Sequence, residues 1–191
     1  QFVEYVNSET KEKNLLKQIG MKIDGDYLEI QNRSHPAGET INLRPDYGDL
    51  KINKFSNLGE IGAYRFWWRK NTIASTVLSN RGCRARCSFC SVRNFNGKGV
   101  RGRTFSSVVD ELQYLKEYHG VNHVMWLDDD LLFDRERTIN MFNEMVKRNL
   151  DITWDASNGI IASALKDEVL DAAAASGCIG MHFGIESGND E

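Results

Sequence analysis

Cys83, Cys87 and Cys90 fall within eight residues, with three residues between the first two and two between the last two. Thiolates so spaced on one loop can share a metal centre, and an odd number of them leaves one coordination position without a cysteine. A 4Fe-4S cluster held by three cysteines, its fourth iron open to a small-molecule ligand, accounts for that count. Zinc asks for a further Cys or His, and the remaining candidates, Cys178, His35, His119, His123 and His182, are distant in sequence. Disulfides suit so compact a group poorly when the chain has one other cysteine. Cluster, zinc site and a fortuitous group of buried cysteines stand as the readings of the spacing, in that order.

A loop presents three thiols together only if regular elements hold its ends. Residues 72–78, directly before the cysteines, are β-branched and apolar, as in a strand buried on both faces. Beyond the loop, Ser107-Val108-Val109-Asp110 is a capping-box string, and the helix it predicts sets Val108, Leu112, Leu115 and His119 on one face before Gly120 ends it. His119 there is a packed or helix-terminal histidine rather than a ligand. Further strands are expected at 122–127, 151–156 and 178–185, separated by helices with inner faces of Ile139, Phe142 and Val146 and of Leu165, Val169 and Ala172. Strands alternating with single helices pair in parallel through right-handed crossovers. The fold class is α/β, about four βα units of a partial (βα) barrel.

In a parallel barrel, ligands gather at the C-terminal ends of the strands. The chemically marked residues all fall there: the cysteine loop after the first strand, Asp128-Asp129-Asp130 after the second, Ser157-Asn158-Gly159 after the third and Glu186-Ser187-Gly188 after the fourth. Cys178, at the start of a strand, reads as a buried structural thiol.

The 191 residues suit one domain with an appendage, and 41% hydrophobic content is enough for a core. Twenty-four basic against 27 acidic residues, net charge -3, argues against a nucleic-acid-binding protein on bulk charge. No run of 18 apolar residues and no signal peptide is visible. Between Ile61 and Val109, however, lie ten basic residues and no acidic one. These form either a solvated face or a positive surround for an anionic cluster that offers a docking patch to an acidic electron donor. Residues 1–70 read as an N-terminal appendage and linker, with a short helix over 11–19, a hairpin strand over 27–30, both prolines (Pro36 and Pro45) in a polar connector, and Trp67 and Trp68 as packing residues. Residues 71–191 read as the N-terminal part of the core.

Cys83-Arg84-Ala85-Arg86-Cys87-Ser88-Phe89-Cys90 resembles the CxxxCxxC signature of the radical S-adenosylmethionine (radical SAM) superfamily, including the aromatic residue before the last cysteine. VRGRTFSSVVDEL (100–112), WLDDDLLFD (126–134) and NGIIASALKDEVLDAAAASGCIGMHFGIESGN (158–189) follow in the order that family uses. The set is similar to the branch whose members often carry an upstream cobalamin-binding domain, and NLRPDYGDLKINKF resembles its connector.

The resemblance implies a partial barrel of radical SAM type, with S-adenosylmethionine chelating the open iron of the cluster on Cys83, Cys87 and Cys90. One electron then cleaves a carbon–sulfur bond to give methionine and a 5'-deoxyadenosyl radical. It places Asp128 and Asp129, which stand without the Gly-Gly-Glu form of the family motif, at the position that accepts from the methionine amino group. Glu186 stands at an acidic cofactor contact, Asn158 near the ribose or carboxylate, and Phe89 as a shield for the cluster beside the adenine. Arg101 and Arg103 either pair with the methionine carboxylate or lie on the surface, and which aspartate of 128–130 points inward is left open, Asp129 coming before Asp130. The branch implies cobalamin through a domain outside this chain, methyl transfer or radical rearrangement or cyclisation of an organic substrate, an acidic donor such as flavodoxin or ferredoxin, and a cytoplasmic setting. An RNA-modifying methylthiotransferase-like enzyme and a zinc-binding interaction module are the alternatives.

Overall fold

Strand–helix alternation organises the chain from residue 74 onward. The computed structural model describes residues 7, 9, 19–23, 25–30, 41–56 and 63–189. Two compact units divide it, Gln1–Ala37 and Gly38–Glu191. In the first unit, β1 (Ile19–Ile23) pairs antiparallel with β2 (Asp26–Ile30) around Gly25, whose φ of +94° suits a tight turn. The helix expected over 11–19 lies outside the described residues except for Ile19, which is strand.

In the second unit, Tyr47 and Ile52 are buried in the core cluster. After the one-turn helix α1 (Ile52–Phe55) come β3 (Ala74–Val77), the two-residue strand β4 (Asn80–Arg81), the one-turn helix α2 (Val92–Phe95) and β5 (Arg101–Gly102). Then follow α3 (Phe105–His119), β6 (His123–Trp126), α4 (Arg135–Lys147), β7 (Thr153–Ile160), α5 (Asp167–Ala175) and β8 (Cys178–Phe183). The sheet order is β3-β6-β7-β8, every pair parallel, with Ala74 opposite His123 and His123 opposite Thr153. Sequential order is what the alternation predicted, with one long helix in each crossover and, before the first of them, the added β4–α2–β5 loop. Among the described residues no helix is long and apolar enough to cross a membrane.

One face of the sheet meets the helices. Val124, Trp126, Trp154 and Ala156 join Val108, Leu112 and Leu115 of α3, Met141, Phe142 and Met145 of α4, and Val169, Ala172 and Ala173 of α5 in one buried cluster. Phe142 stacks on Trp154 with ring centroids 4.8 Å apart, and Trp126 meets Trp154 edge-on at 6.2 Å. The inner face of α4 therefore differs from the expected one: Thr138, Met141, Phe142 and Met145 are buried, whereas Val146 is 47% exposed. Met141 and Met145, unbranched and adaptable, join the buried cluster that holds both indoles.

The other face is polar at its centre. His123 and Asp155 are fully buried, His123 Nε2 lying 3.0 Å from Asp155 Oδ2 and Nδ1 2.9 Å from Thr153 Oγ1. Trp68 covers the His123 ring at 4.7 Å, while Trp67 is 65% exposed with its ring 5.8 Å from that of Tyr64.

Helix ends follow local chemistry. Thr104, rather than Ser107, caps α3, its hydroxyl accepting from the Ser107 N–H at 3.3 Å, so the helix starts before the capping-box string. Gly120, at φ +68°, closes it. Within α3, buried Glu111 accepts from the Tyr47 hydroxyl and from Arg103, which also donates to the carbonyls of Leu78 and Ser107. Arg103 is thus buried rather than on the surface. Burial and this carboxylate push the Tyr47 hydroxyl pKa up.

Asp128, just past β6 and 1% exposed, ties the first two parallel strands at their C-terminal ends. Its two oxygens accept from the Ser79 N–H at 3.1 and 3.0 Å, and one from the Ser79 hydroxyl at 2.5 Å. Burial nevertheless pushes its carboxyl up to about 6, more than the Ser79 hydrogen bonds pull it down.

Two outcomes are expected. Gly177 holds φ +97°, and a Cβ there would lie 2.5 Å from the Ile152 carbonyl oxygen, so Gly177→Ala should destabilise by about 1–3 kcal/mol and lower the urea midpoint. The folded state binds the Asp128 proton more tightly than the unfolded chain does, so this group's stabilisation is full below about pH 4. It should fall by on the order of 3 kcal/mol as pH rises to about 6. Urea unfolding of the wild type and of Asp128→Asn across that range should show the loss in the wild type and a flatter profile in the variant.

Candidate metal and cofactor site

The three clustered cysteines stand on the loop between β4 and β5, whose pairing (Asn80 opposite Gly102, Arg81 opposite Arg101) closes its base. Gly82 opens the loop at φ +91°, and any Cβ there would run into the Gly99 carbonyl. Cys83 is half-buried, Cys87 and Cys90 are exposed, and all are free thiols. The Cys83 sulfur accepts from the Ala85 N–H at 3.4 Å, and the Cys90 N–H donates to the Cys87 carbonyl at 3.2 Å. Burial pushes the Cys83 thiol pKa up, with nearby Asp130, Asp129 and Cys87 adding to the rise. Among the described residues no three His, Cys, Asp or Glu side chains are grouped as a single-ion site requires. The donor set itself, three uncrosslinked thiols on one loop with a backbone N–H already on one sulfur, fits an iron–sulfur cluster that takes each thiolate on a different iron.

Three consecutive aspartates after β6 reach three different parts of the cysteine-bearing segment. Asp128 is engaged with Ser79 before the loop. Half-buried Asp129 accepts from Asn96 Nδ2 at 2.8 Å, beyond the last cysteine. Asp130, whose side chain is fully buried, takes Arg84 between the first two cysteines: Nε at 3.0 Å, Nη2 at 3.1 Å and the Arg84 N–H at 3.3 Å. Asp130 is therefore attached to the loop through Arg84.

Asn158 lies within β7 rather than after it, because β7 runs on to Ile160. Between the Ala156–Met181 and Ile160–Phe183 pairs, three residues of β7 lie opposite one of β8, so the strand bulges around Asn158 and Gly159. The bulge turns Asn158 Nδ2 onto the carbonyls of Leu127 (3.2 Å) and Asp128 (3.1 Å), joining the ends of β6 and β7. Glu186 follows β8, exposed, at φ +28°. Phe89 is 72% exposed on the cysteine loop. Arg101 donates to the Asn96 carbonyl at 2.6 Å and so stiffens the loop from within. Cys178, half-buried, has its thiol pushed up to about 11 by burial and stands apart as a structural residue.

Sequence reasoning missed Ser79, Asn80, Arg84 and Asn96. A signal was present: a basic segment without a carboxylate must find its counter-ions elsewhere, and the aspartate triplet stands at the neighbouring strand end.

Comparison with known proteins agrees with this geometry. Residues 77–191 match the radical SAM superfamily. The chain is 30% identical over 129 residues to cytidylyl-2-hydroxyethylphosphonate methyltransferase of Streptomyces wedmorensis, covering 68% of this chain and 24% of that protein. It is 32% identical over 153 residues to the anaerobic magnesium-protoporphyrin IX monomethyl ester cyclase of Rubrivivax gelatinosus, covering 80% and 25%. Two structures of the radical SAM methyltransferase TsrM from Kitasatospora setae superpose with TM-scores of 0.54 and 0.52 at 25% and 26% identity, covering 61% and 60% of this chain and 22% and 23% of that one. The chain thus spans about a quarter of the length of these curated relatives. With the cysteine signature, the parallel sheet and the match over residues 77–191 in agreement, the chain belongs to the radical SAM superfamily, whose members use S-adenosylmethionine and a 4Fe-4S cluster.

Proposed function

We propose that residues 71–191 form the N-terminal part of a radical SAM core in which Cys83, Cys87 and Cys90 hold the cluster and the ends of β6, β7 and β8 hold S-adenosylmethionine. The observation that carries this reading is the loop of three free thiols at the C-terminal end of β3, tied to the acidic end of β6. When bound, the two cofactors supply reductive cleavage of the sulfonium to a 5'-deoxyadenosyl radical. The protein's part is to orient and to exclude water.

Of the two aspartates at the methionine amino position, Asp129 is the better contact. Asp128 spends both oxygens on Ser79 and so fixes the β6 end, whereas Asp129 is half-buried with one neutral partner. A carboxylate there accepts a charge-assisted hydrogen bond from the ammonium. Asn158 holds the β6 and β7 ends in register beside it. Glu186 supplies a second carboxylate from β8, and Phe89 covers the exposed side of the cysteine loop. Exposed Arg81, Arg86 and Lys98 on and beside that loop suit docking of an acidic electron donor.

For the whole protein the reading is cobalamin-linked methyl transfer, or radical rearrangement or cyclisation of an organic substrate, in the cytoplasm. Support comes from the methyltransferase and cyclase relatives, and from TsrM, whose structure holds cobalamin and a 4Fe-4S cluster. Cobalamin would bind a domain outside these residues.

Anaerobic reconstitution of the chain should yield a brown protein with about four irons, and the Cys83, Cys87, Cys90 triple alanine variant should stay colourless with its far-UV spectrum intact. A colourless wild type carrying one zinc would reject the reading. In the reconstituted protein, Asp129→Ala should weaken S-adenosylmethionine binding roughly 10–100-fold at unchanged iron content, as read by the shift that S-adenosylmethionine produces in the cluster's electron paramagnetic resonance spectrum. Unchanged affinity would remove Asp129 from the site.

A further inference from the structure

We propose that Asp130 and Arg84 form a clamp that fixes the loop between Cys83 and Cys87 in the shape that retains the cluster, a positioning role resting on the reading that these cysteines bind it. Between β4 and β5 the loop has one short helix, α2, to order it. Ordering a backbone residue costs about 1–2 kcal/mol, so a loop that must align three thiolates with three irons gains from contacts that hold it beforehand.

Arg84 carries those contacts in both its main chain and its side chain. Its N–H and its guanidinium meet the same Asp130 carboxylate, and Nη1 and Nη2 donate to the carbonyls of Phe133 and Leu132 at 3.2 Å each. Asp130 is itself held, since Asn80 Nδ2 donates to its carbonyl at 3.0 Å. The clamp joins β4, at the base of the loop, to the one segment between the first two ligands. Beyond it, the Ala85 N–H reaches the Cys83 sulfur and Arg93 Nη1 reaches the Ala85 carbonyl at 3.3 Å. The residues on either side of Arg84 thus inherit their positions from it.

The fully buried carboxylate and the 41% exposed guanidinium side chain make this a directional device. A planar fork on a buried acceptor fixes orientation as well as distance, and lysine, with a point charge, cannot reproduce it. A surface ion pair such as Arg135 with Glu168, both side chains more than half exposed, would do neither.

The test compares the full chain with Asp130→Asn, Arg84→Lys and Gly177→Ala, each reconstituted anaerobically. The readouts are iron and sulfide content and the rate at which a chelator bleaches the cluster well below the unfolding temperature. Asp130→Asn and Arg84→Lys should lose the cluster roughly 10–100-fold faster than the wild type, while Gly177→Ala, destabilised at a site away from the loop, should keep the wild-type rate. Equal bleaching of wild type and Arg84→Lys, which keeps the buried carboxylate paired and so tests the clamp even if Asp130→Asn does not fold, would overturn the clamp. So would equal acceleration in Gly177→Ala, which would reduce the effect to global stability. A wild type that takes up no iron would instead overturn the cluster reading itself.

Discussion

The end of β6 is the point on which the site depends, because three consecutive carboxylates there, Asp128 and Asp130 buried and Asp129 half-buried, are each met by a different part of the segment that follows β3. A buried carboxylate without donors is costly to keep. Asp128 takes the donors of Ser79, Asp129 the amide of Asn96 and Asp130 the guanidinium of Arg84. One tripeptide thereby holds three points of the segment: its start at Ser79, its far side at Asn96 and its first inter-cysteine stretch at Arg84. Burial raises the pKa of both Asp128 and Asp130, and hydrogen bonds from Ser79 and Arg84 oppose that rise.

Behind this end, the sheet separates two kinds of environment. On the helix side, the indoles of Trp126 and Trp154 pack with Phe142 and the methionines of α4, and apolar burial of that size supplies most of what holds the strands in place. On the other side, His123 and Asp155 form a dry polar pair under Trp68, with Asp155 also accepting from the Ser157 N–H at 3.0 Å. That contact carries the polar layer of the strand interior up to the bulge that holds Asn158. A core of aliphatic side chains alone would fix the sheet but not the rotation of its ends.

The basic segment from Ile61 to Val109 looks like a surface patch when read along the chain. In the fold it divides into internal and external members. Arg103 is buried on Glu111, Arg84 is clamped on Asp130, and Arg69 pairs with Asp151 at 2.9 Å. Arg81, Arg86 and Lys98 remain outward. The same charge that could attract an acidic partner is therefore partly consumed in holding the loop and the first strand.

The sequence by itself determined the α/β alternation, the parallel order of the sheet and the membership signalled by the cysteine spacing, because period and spacing are local properties that survive without neighbours. It determined that the polar residues would collect at one end of the strands, since parallel connection leaves them no other. Tertiary structure alone decided which side of α4 faces inward, that β7 continues through a bulge to place Asn158, that Arg103 is buried, and that Asp130 belongs to the loop. Each of those outcomes depends on a partner 8 to 50 residues away or on a strand's register against its neighbour. Along one chain, no period distinguishes a carboxylate that waits for a ligand from one already held by an arginine.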